Sequence, residues 1–259
     1  MCTCDHIHLC MTKTVKYVEN HNGRFLVVSG DQWIRHGIEH VNLIGDELRR
    51  FDQLLSVAKV LRPFQKDVVD GGSNMGSWCI PLARQHSDLH FHMFEVQRFL
   101  YHVSCGNLAL NHMLNVKANL MGLSDQDQMI ELKVPDYSLY GNYGSFEVQP
   151  PFTNSDCVIV NTDLVDQVPV VRLDGLSLSP VLIKFDLEGM EWQALQGAAN
   201  TIAKYEPVVW CERQKSNPEQ ILPWFAHKSY ELSYAIEGHW LFLPPWLKTN
   251  PLIAHILLN

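Results

Sequence analysis

Apolar positions along the chain switch between helical and strand spacing, and the switches outline its elements. In "DELRRFDQLLSVAKVL" (46–61) apolar residues fall at 48, 51, 54, 55, 58 and 61, the spacing of one helix face. Asp46 is placed to cap that helix and Pro63 to end it. Residues 15–45 mix short strand-like runs such as "FLVVSG" (25–30) with turn residues, predicting a cap of strands. Beyond Pro63, short apolar runs alternate with helical segments. "DVVD" (67–70) predicts a buried strand, followed by a glycine turn and a helix to about Gln85. "HFHMFE" (90–95) and "VKANLMGL" (116–123) predict two more strands, with a helix over 98–112 between them. "VLIKFDLEG" (181–189) leads into a helix with Leu195, Ala198 and Ile202 on one side. "EPVVWCE" (206–212) is another strand, and "YELSYAIEGHWLFLPP" (230–245) reads as a closing hairpin.

Alternating βα units imply a mostly parallel sheet with helices on both faces. The expected architecture is therefore α/β, three-layered and Rossmann-like, with an antiparallel hairpin at its C-terminal edge. Residues 1–62 form the predicted cap and 63–259 the main domain, with an insertion at about 122–180. That insertion is too long for a bare connection. Its "YGNYGSF" (140–146) fits a substrate-facing loop or a surface hairpin turn equally well.

Charge narrows the partners. With 28 acidic against 20 basic residues the net charge is −8, and no basic run stands out, which disfavours a nucleic-acid binder. A glycan or another hydroxyl-bearing small molecule fits better. No apolar run has the length of a membrane span and the start lacks a secretory profile, so a cytoplasmic protein without a membrane partner is expected. Seven cysteines, an odd count, argue against a disulfide framework and for a reducing compartment. Cys79, Cys105, Cys157 and Cys211 read as small core residues. Cys2, Cys4 and Cys10, interleaved with Asp5, His6 and His8, offer zinc-type ligands at a spacing that matches no closed site, and no metal is expected.

The chemistry gathers at strand ends, where open α/β sheets bind ligands. Four predicted strands finish in acid: Asp70, Glu95, Asp186 with Glu188, and Glu212. Lined up along one sheet edge, these acids suit a cation or a group rich in hydroxyl and amine donors. The turn "DGGSNMG" (70–76) differs from the G-x-G-x-x-G pattern of dinucleotide sites. A carboxylate before it would repel a pyrophosphate but suits an amine and a sulfonium. Glu95, at the end of the second strand, stands where an acid binds ribose hydroxyls. Together these residues favour S-adenosylmethionine.

The segments "VVDGGSNMGSW", "FHMFEVQRFLYHVSCGNLALN", "GLSD", "VRLDGL", "LIKFDLEGMEWQALQGA" and "PVVWCE" follow the order seen in FkbM-type methyltransferases, which are class I S-adenosylmethionine-dependent enzymes. The chain resembles that family over roughly 67–212, most specifically in K-x-D-x-E-G-x-E at 184–191. The resemblance implies a seven-stranded sheet and O-methylation of a sugar or small metabolite. It places Asp70, Gly71, Gly72, Asn74 and Gly76 around the methionine part of the cofactor, and Glu95 at the ribose. It puts Asn107 beside the pocket or in a structural hydrogen bond, and Ser124 and Asp125 near the adenine. Asp186 and Glu188 would face the methyl group. Val96 stands where the family usually has proline, and Ser73 where alanine is commoner.

Methyl transfer to a hydroxyl benefits from a base. Asp186 and Glu188 are the first candidates, followed by Glu212 and His239. Residues 184, 186 and 188 share one face if the strand stays extended, so Lys184 can instead pair with Asp186, and the two acids can also hold Mg²⁺. Glu191 reads as an acid favourable to a helix N-terminus, and Trp240 and Trp246 as sugar-stacking rings or covers of the sheet edge. Three rivals remain: a methyltransferase for a peptide, lipid or nucleotide acceptor, a non-catalytic module on the same fold, and a nicotinamide dehydrogenase disfavoured by the glycine pattern.

Overall fold

A computed structural model describes residues 14–40, 42–148, 160–236 and 238–258. The zinc-type ligands at the N-terminus and Cys157 lie outside the described residues. The chain opens with an antiparallel hairpin, β1 (Val15–Asn20) and β2 (Gly23–Val28), then α1 (Ile34–His40) and α2 (Asn42–Leu61). Residues 15–45, expected as strands, thus also hold α1 and the start of α2. Asp46 lies inside α2 rather than capping it, because the helix begins four residues earlier.

The main sheet is built from β3 (Asp67–Gly71), α3 (Cys79–Gln85), β4 (His90–Glu95), α4 (Arg98–Leu110) and β5 (Val116–Leu120). The inserted stretch adds β6 (Gly122–Leu123), β7 (Gln128–Pro135) and β8 (Val160–Val171), which pair as a separate three-stranded sheet. The main sheet resumes with β9 (Pro180–Phe185), α5 (Glu191–Gly197), α6 (Ala199–Tyr205) and β10 (Val208–Glu212). It closes with α7 (Pro218–His227), the hairpin β11 (Glu231–Ile236) and β12 (His239–Leu243), and the short helices α8 (Pro245–Lys248) and α9 (Pro251–Leu258). The strand order is β11-β12-β10-β9-β3-β4-β5, seven strands with β12 antiparallel to its neighbours. No helix among the described residues is long and apolar enough to cross a membrane.

Two predicted elements are each broken in two. The strand expected over 116–123 ends at Leu120, and Gly122–Leu123 pairs with β8 in the second sheet. A Cβ on Gly122 would sit 2.9 Å from Val96 Cγ1 and 3.0 Å from Val170 Cγ1, so any side chain where the chain changes sheets would have to displace these valine methyls. The helix after residue 189 breaks at Ala198 into α5 and α6. Gly197 packs on the Ser124 carbonyl, where a Cβ would stand 1.9 Å away.

Alternation along the strands separates two cores. Val68, Leu182, Val208, Trp210 and Leu241 face α2, α3 and α9, while Val69, Ile183, Val209, Cys211 and Phe242 face α5, α6 and α7. This is period-two burial on both faces of one sheet. The N-terminal hairpin packs on α4 instead, around Phe25, Val27, Leu100 and Val103. From β3 the chain winds outward through β4 and β5, then returns to add β9 and β10 on the other side. The order therefore reverses between β3 and β9, and their carboxyl ends open a crevice.

Candidate active site

A cleft of about 570 Å³, part of it open to solvent, occupies that crevice. Its floor is the glycine turn after β3. Gly72 has φ +76°, and a Cβ there would fall 1.8 Å from the Asp186 carbonyl, so the turn and the end of β9 touch backbone to backbone. Asn74 adopts a left-handed φ of 51°, and its backbone N–H donates to Glu95 Oε2 at 2.8 Å. The Gln97 N–H donates to Glu95 Oε1, also at 2.8 Å. Glu95 is 5% exposed, and burial pushes its carboxyl up to about 7 against those hydrogen bonds.

Gly72, Asn74, Glu95, Asp186 and Glu188 all line the cleft. Asp70, Gly71 and Gly76 lie behind that lining. Asp70 is fully buried, neither of its oxygens has a hydrogen-bond partner, and burial pushes it up to about 6 even with the Lys184 ammonium 3.7 Å away. Ser124 and Asp125 follow Leu123, the last cleft-lining residue of β6, and bond to each other at 3.1 Å without reaching the lining. Phe94, Val96, Met121, Leu123 and Val170 make the apolar end of the cleft. Asn107 is structural: it is fully buried, and its amide joins the Leu26 backbone to the Met75 carbonyl.

The acids across the crevice differ in charge state. Lys184 Nζ donates to Asp186 Oδ2 at 2.8 Å. Burial opposes ionisation of Asp186, but the Lys184 ammonium and the His239 ring hold it well below the usual carboxylate range. Extended geometry stops at Phe185, and Glu188 takes φ +55° ahead of Gly189 at +103°. Glu188 therefore leaves the face of Lys184 and Asp186 and meets the Lys215 ammonium instead. Burial, with Asp186 nearby, pushes it up to about 7. Glu212 is 6% exposed, its Oε2 has no partner, and burial together with the Glu188 charge pushes it up to about 10. His239 lies behind the lining, stacked on Trp210 with its Nε2 3.8 Å from Asp186 Oδ2.

One oxygen each from Asp186, Glu188 and Glu212 lie within 4.8 Å of one another, a spacing one cation could bridge. Lys184 and Lys215 already contact the first two.

Sequence reasoning under-read three residues. Glu191, expected as a helix-dipole acid, is fully buried and accepts the Leu187 and Gly189 N–H groups at 2.6 and 3.1 Å, fixing the turn that presents Glu188. Gln97 donates to the Tyr143 carbonyl at 2.8 Å, and Lys215 to the Ser145 carbonyl at 3.0 Å. Both bonds draw "YGNYGSF" onto the cleft, where Gly144 and Phe146 line it. Glu191 stands in the K-x-D-x-E-G-x-E run, whereas Gln97 and Lys215 have no local signal. Trp240 is buried against Phe242, and Trp246 donates to the Glu206 carbonyl, so both cover packed edges.

Fold and cleft together define an α/β protein of the doubly wound class, with a cleft at the reversal of strand order. The family model described as methyltransferase FkbM domain matches residues 70–232. The chain belongs to the FkbM methyltransferase family. Among solved structures, the FkbM methyltransferase of Methylobacillus flagellatus KT is 16% identical with a TM-score of 0.49, covering 69% of this chain. This chain spans only 43% of that protein's length. The M. jannaschii TYW2, solved in complex with AdoMet, is 14% identical with a TM-score of 0.41, covering 88% of this chain and 83% of its own. The Pyrococcus abyssi tRNA (uracil-54, C5)-methyltransferase is 11% identical with a TM-score of 0.41, covering 89% and 43%. No curated protein matches the chain.

Proposed function

We propose that this chain is an S-adenosylmethionine-dependent O-methyltransferase acting on a hydroxyl of a carbohydrate or small metabolite. The observation that carries the reading is the pairing, in one cleft, of Glu95 beside an apolar slot with Asp186 and Glu188 across from it. The residues fit the cofactor by donor chemistry: Glu95 has lone pairs for a ribose diol, and Phe94, Val96, Leu123 and Val170 suit a flat base. Asp186 stays anionic beside Lys184 and complements a positive centre. The cofactor, when bound, supplies a methyl carbon already activated by a sulfonium.

The protein then has to align and deprotonate. Gly72 and Asn74 shape the floor that holds the methionine end in line, the proximity contribution to catalysis. Glu188 is the favoured base: at about 7 it is ionised often enough to accept a proton at one of its Oε atoms and still basic enough to hold it. Asp186 is too acidic for that step, and Glu212, near 10, is already protonated at neutral pH. Glu212, behind Glu188, then limits the negative charge of the cluster. A net charge of −8 speaks for an uncharged or cationic acceptor over nucleic acid.

Titration calorimetry with S-adenosylhomocysteine tests the cofactor. Micromolar binding is expected for the wild type, weakened at least tenfold in Glu95→Gln; no binding at millimolar ligand rejects the reading. With an acceptor found by screening hydroxylated compounds against methyl-labelled cofactor, Glu188→Gln should lower kcat by about 10²–10⁴ while leaving cofactor affinity unchanged. Wild-type kcat should rise with pH through about 7 as Glu188 deprotonates. A flat profile across that range assigns the base elsewhere.

A further inference from the structure

The wall over the cleft is fastened from several sides. At its start, Gly141 exchanges backbone hydrogen bonds with the N-terminal region: its N–H donates to the Gly30 carbonyl at 3.0 Å, and its carbonyl accepts from the Gln32 N–H at 3.1 Å. In the middle, Gln97 holds the Tyr143 carbonyl and accepts from the Tyr137 hydroxyl at 2.9 Å. Past the middle, Lys215 takes over, from the loop after β10. Its ammonium reaches three acceptors: the Ser145 carbonyl at 3.0 Å, Glu147 Oε1 at 3.4 Å, and Glu188 Oε2. Two of these contacts are hydrogen bonds and the one to Glu147 is an ion pair, and together they tie two segments that the sheet does not otherwise join.

All three charged partners are largely shielded, with side-chain exposures of 13% for Lys215, 8% for Glu147 and 18% for Glu188. Loss of the cation removes the group that both carboxylates share, and with it the tie between the two segments they belong to. Phe146 and Val148, either side of Glu147, are cleft lining. Moving Glu147 away from Glu188 would therefore carry the wall off the cleft.

We propose that Lys215 is a positioning residue that fastens the 144–148 wall over the cofactor cleft and, through the same ammonium, holds Glu188 in place at the reacting end. The cofactor part of this inference rests on the function proposed above; the fastening does not. Lys215→Met keeps the aliphatic stem and removes the charge, while Lys215→Arg keeps the charge.

Hydrogen exchange of the ligand-free protein reads the fastening. In Lys215→Met, amides over 144–148 should exchange at least tenfold faster, with those of β3 and β4 unchanged. In Lys215→Arg the same amides should stay within about threefold of wild type. Titration with S-adenosylhomocysteine reads what the fastened wall does for the cleft: the Met variant should bind at least tenfold more weakly, the Arg variant close to wild type. Unchanged exchange in the Met variant overturns the proposal whatever the titration gives, as does faster exchange spread evenly over the sheet. Equal affinity of wild type and Met variant overturns the wall's role in positioning the cofactor even where the wall loosens. If the wild type itself fails to bind, the functional reading falls, and exchange alone decides the fastening.

Discussion

Lys184 is a charged residue in the middle of a parallel sheet, 5% exposed, a position that desolvation alone would forbid. It is tolerated because Asp186 lies 2.8 Å and Asp70 3.7 Å from its ammonium. Burial works against its charge, yet these two carboxylates raise its pKa above the ordinary lysine value. Lys184→Met removes the one cation between two acids and should cost about 3–5 kcal/mol of stability at pH 7.5. The loss should shrink at pH 5, where Asp70, already up to about 6 in the wild type, takes a proton. Urea denaturation at both pH values measures this. A loss under about 1 kcal/mol at pH 7.5 would mean that the variant's Asp70 is neutral there and that the pairing contributes little.

At the scale of elements, Asn107 shows how the N-terminal hairpin is tied on. Its side chain gives two donor bonds, to the Leu26 and Met75 carbonyls at 3.0 and 2.9 Å, and accepts the Leu26 N–H. Asn107→Ala takes the side-chain partner from the part-buried Leu26 N–H and carbonyl of β2 and from the buried Met75 carbonyl. It should destabilise by about 2–4 kcal/mol, with early hydrogen-exchange loss in β1 and β2. Protection in the hairpin equal to that of β4 would refute the tie.

The elements that sequence pattern revealed are those whose burial is set locally. The strand at His90–Glu95 and the hairpin at Glu231–Leu243 sit where period-two apolar runs place them. The breaks at Met121 and Ala198 were hidden, because Gly122 and Gly197 are required by distant neighbours, Val170 and the Ser124 carbonyl. The same holds at the site. Glu95, Asp186 and Glu188 were legible as strand-end acids that now line one cleft. Lys215 and Gln97 were not, since their partners are 70 and 46 residues away along the chain.

Over the whole molecule, the acids of the crevice set how stability depends on pH. Asp70 at about 6, Glu95 and Glu188 at about 7 and Glu212 at about 10 are all raised above their unfolded values, chiefly by burial. In the window between the unfolded and folded values the native state binds more protons than the unfolded chain. The stability these groups contribute is therefore fully present below about pH 4 and is lost as pH rises through 6 and 7 and, for Glu212, on to about 10. Carboxylates with lowered values, Asp67 and Asp186 within the sheet and Glu19, Asp88, Asp127 and Asp136 at the surface, act at about pH 4 and below and do not offset this loss. His86, lowered mainly by burial, opposes it around pH 6 as a single group. The ligand-free protein should thus be less stable to urea at pH 8 than at pH 5. Glu212→Gln should narrow the gap: the amide avoids the proton uptake that folding otherwise requires of Glu212 at pH 8, which is worth about 1–3 kcal/mol. At pH 5 the variant and the wild type should differ little. A cation bound in the crevice should act in the same direction as the substitution, because it stabilises the ionised carboxylates that folding brings together. If Glu212→Gln instead lowers stability at pH 8, Glu212 is ionised in the native state and its charge is compensated by a partner it alone can hold.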